Sequence, residues 1–308
     1  MAVPYNTTNA GTNVRDALGK HLRIKHNNDW QYVEDVNIKD GGTWYEAKEV
    51  HVKSGGTWHL VHEGEHYLFK HDLNSNSTGN FDLALWISNF YGGNKIKGLL
   101  TITGNIQRQR VDLGNFSSDS RVYLRLEGGA KLIGAGGSGG FAGQGGTSNG
   151  GNGGRALYTR TKFILDNGGT ISGGGGGGAG GANGTVTQQI QETNNCMKGN
   201  QCTNQYDVTN NTVGGGGGGG AGYPGGANGG NGAQNGQING GGQGGAGGAG
   251  SAKSGGNGGG LGNDGSNPQD NVGGTRGTKG IGVDGWGYRE QINAWGNGDG
   301  DVRGTLIN

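Results

Sequence analysis

Apolar and polar residues alternate in three short stretches near the start of the chain: LRIKHNNDW (22–30), VNIKDGGTW (36–44) and VHVKSGGTW (50–58), aligned at a period of 14 residues. Each stretch turns at Asn-Asn or Gly-Gly and resumes on tryptophan, which is the pattern of a β-hairpin. Trp30, Trp44 and Trp58 fall in register. Stacked together, three hairpins would bury the tryptophans in a small sheet, and units of this size need a further element to lean on. Downstream, FDLALWISNF (81–90), LLTITGNI (99–106) and RVYLRLEG (121–128) read as irregular strands, the last with Val122, Leu124 and Leu126 alternating. ALYTRTKFILDN (156–167) is a further strand-like apolar stretch.

Around this stretch, from residue 128 onward, the apolar pattern gives way to glycine. Of 79 glycines, 61 lie between 128 and 285, with unbroken runs at 173–178 and 214–220. Glycine loses the most backbone entropy on folding and has no side chain to bury, so neither ordinary helices nor ordinary sheets are built this way. A flexible linker and a packed array of extended polyglycine helices both remain. The phase of the other residues favours the array: Ser138, Phe141, Gln144 and Thr147 are three apart, as are Gln243, Ala246 and Ala249, and Ala179 and Ala182. A polyproline-II helix has three residues per turn and no internal hydrogen bonds, so once buried its N–H and C=O groups must bond laterally to close neighbours. Linkers are usually mixed with serine and carry no such phase. One glycine-poor segment, 185–213, interrupts the tracts, and its composition predicts a loop projecting from them. Shorter interruptions lie at 223–239 and 263–272.

With 29% hydrophobic residues the chain cannot build a large apolar core, so backbone hydrogen bonding must carry much of the fold. The formal charge of +1 is spread evenly along the chain, which argues against a nucleic-acid groove. The start of the sequence has no apolar leader and no run reaches membrane-spanning length, so neither secretion by a signal peptide nor membrane insertion is expected. Cys196 and Cys202 lie in the 185–213 insertion. They read either as a small disulfide or as two free thiols.

All seven histidines fall between His21 and His71, at no spacing of an established metal motif, and GGLGND (259–264) and GIGVDGW (280–286) only partly resemble a calcium nonapeptide. No metal, no cofactor and no catalytic residues are expected, since no carboxylate pair or Ser/His/Asp set stands out.

The succession Leu124–Leu126–Gly128–Gly129–Ala130–Lys131–Leu132–Ile133–Gly134, then GGSGG, GGRAL (153–157) and Asp166–Asn167–Gly168–Gly169–Thr170–Ile171–Ser172 before GGGGGGAGG, resembles glycine-rich tail-tip proteins of tailed bacteriophages. It is similar in particular to the distal tail-fibre adhesins of T-even-type phages. The resemblance implies a polyglycine-helix domain that presents variable loops to a bacterial surface receptor, either an outer-membrane protein or lipopolysaccharide. It also implies a place at the tail-fibre tip of the virion, a tail-fibre tip protein as partner, and a stay in the host cytoplasm during assembly. It covers roughly 96–184, and the glycine-rich character runs on to 285. The 14-residue tryptophan repeat has no counterpart in it.

Together these observations predict a mostly β, irregular fold in three parts: an N-terminal β-hairpin module (1–65), a β-rich connector (66–127) and a polyglycine-II, polyproline-II-like sandwich with projecting loops (128–308). Fibre attachment is expected at Trp30, Trp44 and Trp58. Receptor contacts are expected at Ile190, Met197, Lys198, Tyr206 and Val208 in the longest insertion, at Tyr223 and Ile238 in the next, and at Arg276, because glycine segments offer no apolar or aromatic anchors of their own. The rival functions are a polyproline-II-type ice-binding protein and a tail-associated glycan-cleaving enzyme.

Overall fold

The computed structural model describes residues 23–26, 29–32, 37–46, 49–63, 67–88, 96–142, 148–195, 201–290 and 300–308. It is built almost wholly of strands and extended segments, as the apolar pattern predicts.

The 14-residue repeat forms three antiparallel hairpins. β1 (Arg23–His26) pairs with β2 (Asp29–Tyr32), β3 (Asn37–Asp40) with β4 (Thr43–Glu46), and β5 (Glu49–Ser54) with β6 (Thr57–Glu63). Gly41 and Gly42 (φ 55° and 88°) and Gly55 and Gly56 (φ 59° and 83°) supply two successive left-handed residues in each turn, which matches the twist of the flanking strands. The expected burial fails for Trp44 and Trp58. Each hairpin is a two-stranded sheet of its own, and Trp44 and Trp58 are both 64% exposed. Each ring instead has the lysine directly across the ladder beside one face, with Lys39 Nζ 5.6 Å from the Trp44 ring centroid and Lys53 Nζ 5.7 Å from that of Trp58.

From residue 67 the chain winds as a solenoid whose strands alternate between two parallel sheets. One sheet holds β7 (Tyr67–Leu73), β9 (Ile96–Ile102), β11 (Arg121–Leu126) and β14 (Lys162–Asn167) side by side in chain order. Arg289 extends it by a parallel bridge to Phe163. The other sheet begins with β8 (Ser77–Asp82) against β10 (Gln107–Asp112). Leu100, Ile102, Leu124, Leu126, Leu132, Leu157 and Phe163 fill the space between the sheets with essentially no exposure. Phe69 finds room because its register partner on β9 is Gly98, and a Cβ there would collide with the ring. The 81–90 stretch is not all strand: β8 ends at Asp82, whose Oδ1 accepts the Leu85 N–H at 2.9 Å and so caps a short helix, α1 (Leu83–Ser88).

The second sheet places the glycine tracts. β12 (Lys131–Ile133) pairs with Gln107 and Arg108 of β10, while β13 (Leu157–Tyr158) pairs with Val111 and Asp112 of the same strand. One rung is therefore made of two pieces, and residues 134–156 leave the sheet between them. The next rung repeats the device: β15 (Thr170–Ser172) pairs with β12, β18 (Ile281–Asp284) pairs with β13, and residues 173–280 leave between them. The last rung closes the gap, because only Gly304 separates β19 (Asp301–Arg303) on β15 from β20 (Thr305–Ile307) on β18.

The two excursions pack together as a lattice. In 173–182, Gly174, Gly177 and Gly180 donate to Gly154, Gly151 and Ser148; Gly175, Gly178 and Gly181 donate to Ala221, Gly218 and Gly215; Gly176 and Ala179 donate to Asn263 and Ser266. The same segment accepts from Gly137 and Gly140, from Gly256, Gly259 and Gly262, and from Gly274, Gly277 and Gly280, and all these N···O distances lie between 2.7 and 3.1 Å. Lateral bonds thus recur every third residue in each direction, and the segment is enclosed by others on every side. At the outer faces, where a further segment is missing, asparagines accept the orphan N–H groups: Asn149 and Asn152 take those of Thr275 and Thr278 at 2.8 and 3.0 Å, and Asn257 takes that of Gly244 at 2.8 Å.

Candidate functional site

The register of these bonds fixes which turns lie where. Gly137 and Gly140 donate in parallel order to Gly175 and Gly178, so 134–140 and 173–182 both run away from the sheets; Gly151 and Gly154 donate in reverse order to Ser138 and Ala135, so 148–154 returns. Extended through the lattice, the same reasoning puts residues 141–142 and 148, both ends of the 185–213 insertion, and the turns around 230–233, 248–251 and 267–273 at the end remote from the sheets. The turns at 223–224, 238–240 and 260–262 lie beside the sheets.

The 185–213 insertion belongs to the remote end, and its described residues form an antiparallel ribbon. β16 (Gly184–Asn195) pairs with β17 (Gln201–Thr212) in continuous register, from Gly184↔Thr212 to Asn195↔Gln201. At about 3.4 Å per residue it spans roughly 40 Å. Threonine, valine, isoleucine and tyrosine in TVTQQIQE and QYDVTNNT suit strand formation, while glycine, which forms the lattice, is missing between 185 and 195 and between 201 and 213. Nearly all of the ribbon is exposed.

Its two faces differ. Ile190 lies directly across from Tyr206, and Val208 across from Gln188, so Val186, Ile190, Tyr206 and Val208 share one face. Ile190 and Tyr206 are 39% and 41% exposed. The Tyr206 hydroxyl donates to Glu192 Oε1 at 2.7 Å, and this bond, with some desolvation, raises the tyrosine above its ordinary value. The opposite face is polar throughout, with Thr187 and Thr209 in hydroxyl contact at 3.0 Å. Cys202 is disulfide-bonded, and Cys196, the chain's other cysteine, lies outside the described residues.

The structure brings Ile190, Tyr206 and Val208 onto one face and separates them from the other expected contacts. Met197 and Lys198 lie outside the described residues. Tyr223 and Ile238 sit at the sheet-proximal end, packed against a cluster of Ile133, Ala221 and Leu261. Arg276 is on the flank of the lattice, paired with Asp264 at 3.4 Å. Trp30, Trp44 and Trp58 stand one per hairpin, each opposite a lysine. Two remote-end residues escaped the sequence reading as contacts: Phe141 is 71% exposed and Val272 47%. Phe141 carried a signal, since an aromatic side chain inside a glycine tract has no core to enter.

The solenoid carries a second concentration of polar chemistry, and its contacts account for it as structural. Asp284 joins Arg155 and Arg160, and both guanidiniums stack on Tyr158 at 4.5 and 4.6 Å. Glu290 holds Arg121 and Lys162. His71, from the histidine-rich region, lies between the rings of Phe81 (5.2 Å) and Trp86 (4.2 Å), where burial lowers its pKa, with Asp72 opposing and Arg108 assisting.

No curated protein and no solved structure matches the chain. Residues 68–307, which take in the solenoid from its first strand to its last and the whole lattice mounted on it, match the family of the phage tail fibre adhesin Gp38, and the chain belongs to that family.

Proposed function

We propose that this adhesin recognises its receptor through the end of the lattice remote from the sheets, with the ribbon 184–212 as the principal contact and Phe141 and Val272 beside it. A phage tail fibre adhesin is a component of the virion that binds a receptor on the host bacterial surface, and the family is one of adhesins rather than enzymes. The observation that carries the reading is the alternating direction of the segments: it makes the longest excursion from the lattice, with its exposed Ile190 and Tyr206, leave at the end facing away from the solenoid. Interfaces draw their energy from a few aromatic and aliphatic anchors set among polar groups, and the ribbon offers both. Met197 and Lys198 of the same insertion and Arg276 on the flank are assigned to the same task, while Tyr223 and Ile238 serve to seat the lattice on the solenoid.

The glycine segments are polyglycine-II helices in this reading, since a period of three with lateral bonds in several directions is what that helix requires. The three hairpins, with Trp44 and Trp58 exposed, attach the chain to the tail-fibre tip. Replacement of 186–212 by a short glycine–serine linker is expected to abolish adsorption of virions to host cells while particles assemble normally. Undiminished adsorption by that variant overturns the assignment. Binding to outer-membrane fractions with and without lipopolysaccharide separates the two receptor classes.

A further inference from the structure

The ribbon's backbone carries a feature that its side chains do not explain. The N–H of Thr185 donates to Ser251 Oγ at 2.8 Å and its C=O accepts from the Ser251 N–H at 3.0 Å, so both groups of Thr185 point out of the β16–β17 ladder. In an antiparallel pair, inward and outward residues alternate. Thr187, Gln189, Gln191 and Thr193 therefore present N–H and C=O groups along the outer edge of β16, spaced about 6.8 Å apart. Among the described residues β16 pairs with β17 alone, and these four positions are exposed.

Proteins blunt such edges with lysine, proline, inward charges or bulges, because a row of unpaired backbone groups otherwise recruits another strand. β16 has none of these: its sequence GTVTQQIQETNN holds no lysine, arginine or proline, and the register runs for its full length without a bulge. Its one charge, Glu192, is engaged by Tyr206 across the ladder. The edge is long and open, on the ribbon assigned above to the receptor.

Resting on the reading of the ribbon as the receptor contact, we propose that β16 binds by strand addition: an extended segment of a receptor protein pairs with the outer edge at Thr187–Thr193, as a third strand of the ribbon. Backbone pairing supplies the affinity, and the apolar face of Ile190, Tyr206 and Val208, continued beneath the added strand, supplies the selection. The charge pattern favours protein over lipopolysaccharide. Between 184 and 212 there are two carboxylates, Glu192 and Asp207, and a single cation, Lys198. A phosphate-rich glycolipid calls for the opposite balance.

Proline tests the edge directly, because at outward positions it removes an edge donor without touching the internal ladder. The double variant Gln189→Pro/Gln191→Pro is expected to bind a detergent-solubilised outer-membrane protein fraction at least about tenfold more weakly, each lost donor leaving a partner carbonyl unmet. Gln189→Ala/Gln191→Ala, which keeps both N–H groups, and Gln205→Pro, on the outward edge of β17, are expected to bind like the parent. Equal losses in the alanine and proline pairs overturn strand addition in favour of side-chain recognition, and undiminished binding by the proline pair overturns it outright. Amide hydrogen exchange on the parent chain gives an independent reading: addition of the fraction should slow exchange at Thr187, Gln189, Gln191 and Thr193, and unchanged exchange there refutes the proposal even if the proline pair misfolds. The linker replacement, run alongside, separates these failures from failure of the ribbon as a site, since only the latter leaves its adsorption intact.

Discussion

Replacing Gly217 by alanine is the sharpest test of how the lattice is held. A Cβ at this position would stand 2.6 Å from the carbonyl carbon of Gly178, closer still to its oxygen, and 2.9 Å from the amide nitrogen of Gly140. Carbon contacts settle at about 3.5–4.0 Å, so the segments must part by roughly 1 Å. The bonds Gly217→Gly140 (2.8 Å) and Gly178→Gly218 (2.8 Å) would then stretch to about 3.8 Å, past hydrogen-bonding range. Each broken bond leaves buried groups unmet at about 1–3 kcal/mol, for a total of about 2–6 kcal/mol over the two. The unfolded chain pulls the other way, but alanine gains only about 0.4–1 kcal/mol from its lower backbone entropy. The clash wins. At Gly240 nothing lies within 4 Å of an added Cβ, so the entropy term stands alone and Gly240→Ala should be neutral or slightly stabilising. Urea unfolding followed by circular dichroism on both variants distinguishes the signs. A loss at Gly217 no larger than the change at Gly240 would refute close lateral contact as the reason for the glycine.

Ile190→Ala with Tyr206→Ala should weaken host adsorption about tenfold or more with little change in melting temperature, because both side chains are exposed; a large melting shift would mean that they serve the fold. Trp44→Ala with Trp58→Ala should leave receptor binding by the isolated chain unchanged and reduce its incorporation into virions, and normal incorporation would contradict the attachment role. At Asp284 and Glu290 burial pushes the carboxyl up, but bonding to Arg160 and Arg155, and to Arg121 and Lys162, outweighs it and leaves both below the usual carboxylate range. Since the folded values are the depressed ones, the stability they add is present above about pH 4 and is lost as pH falls through them. The acid limb of the melting curve should be shallower in Asp284→Asn, and an unaltered limb would show that the Arg155–Asp284–Arg160 group is not its source.

How far the sequence reveals this fold depends on the range of the interaction. Hairpins with Gly41-Gly42 and Gly55-Gly56 at their turns are local, and alternation marks them. Burial of Trp44 and Trp58 depends on neighbouring hairpins, and it fails because each hairpin is a two-stranded sheet of its own, which leaves the rings largely exposed beside Lys39 and Lys53. At 83–88 the apolar run hid a helix whose cap, Asp82, was legible. The three-residue phase of Ser138 and Phe141 gave the lattice period, but not its polarity. Polarity depends on β10 receiving β12 at Gln107 and β13 at Val111, a pairing across residues 134–156 that no local pattern announces. The ribbon read as a loop because Gln, Asn and Thr mask the alternation of Val186, Ile190, Tyr206 and Val208, although the spacing was present.

The interrupted rungs bear on how such an adhesin can change its target. Both excursions start and end on the two pieces of a single rung, at Ile133 and Leu157 and at Ser172 and Ile281, and the lattice segments between are bonded every third residue. A turn at the remote end therefore joins two segments that are already fixed, and lengthening it costs only the closure entropy of a longer loop, about 0.6 kcal/mol for each doubling. The chain itself spans this range, from the short turn at 230–233 to the ribbon inserted between 183 and 213. The sheet-proximal turns lack that freedom, because Tyr223, Ile238 and Leu261 close a packed cluster on Ile133. Exchanging the remote turn 267–273 for one twice its length should therefore leave the melting temperature within a few degrees of the parent, whereas doubling 238–240 should lower it clearly by opening that cluster. Equal losses at the two ends would mean that the lattice is not anchored from the solenoid side.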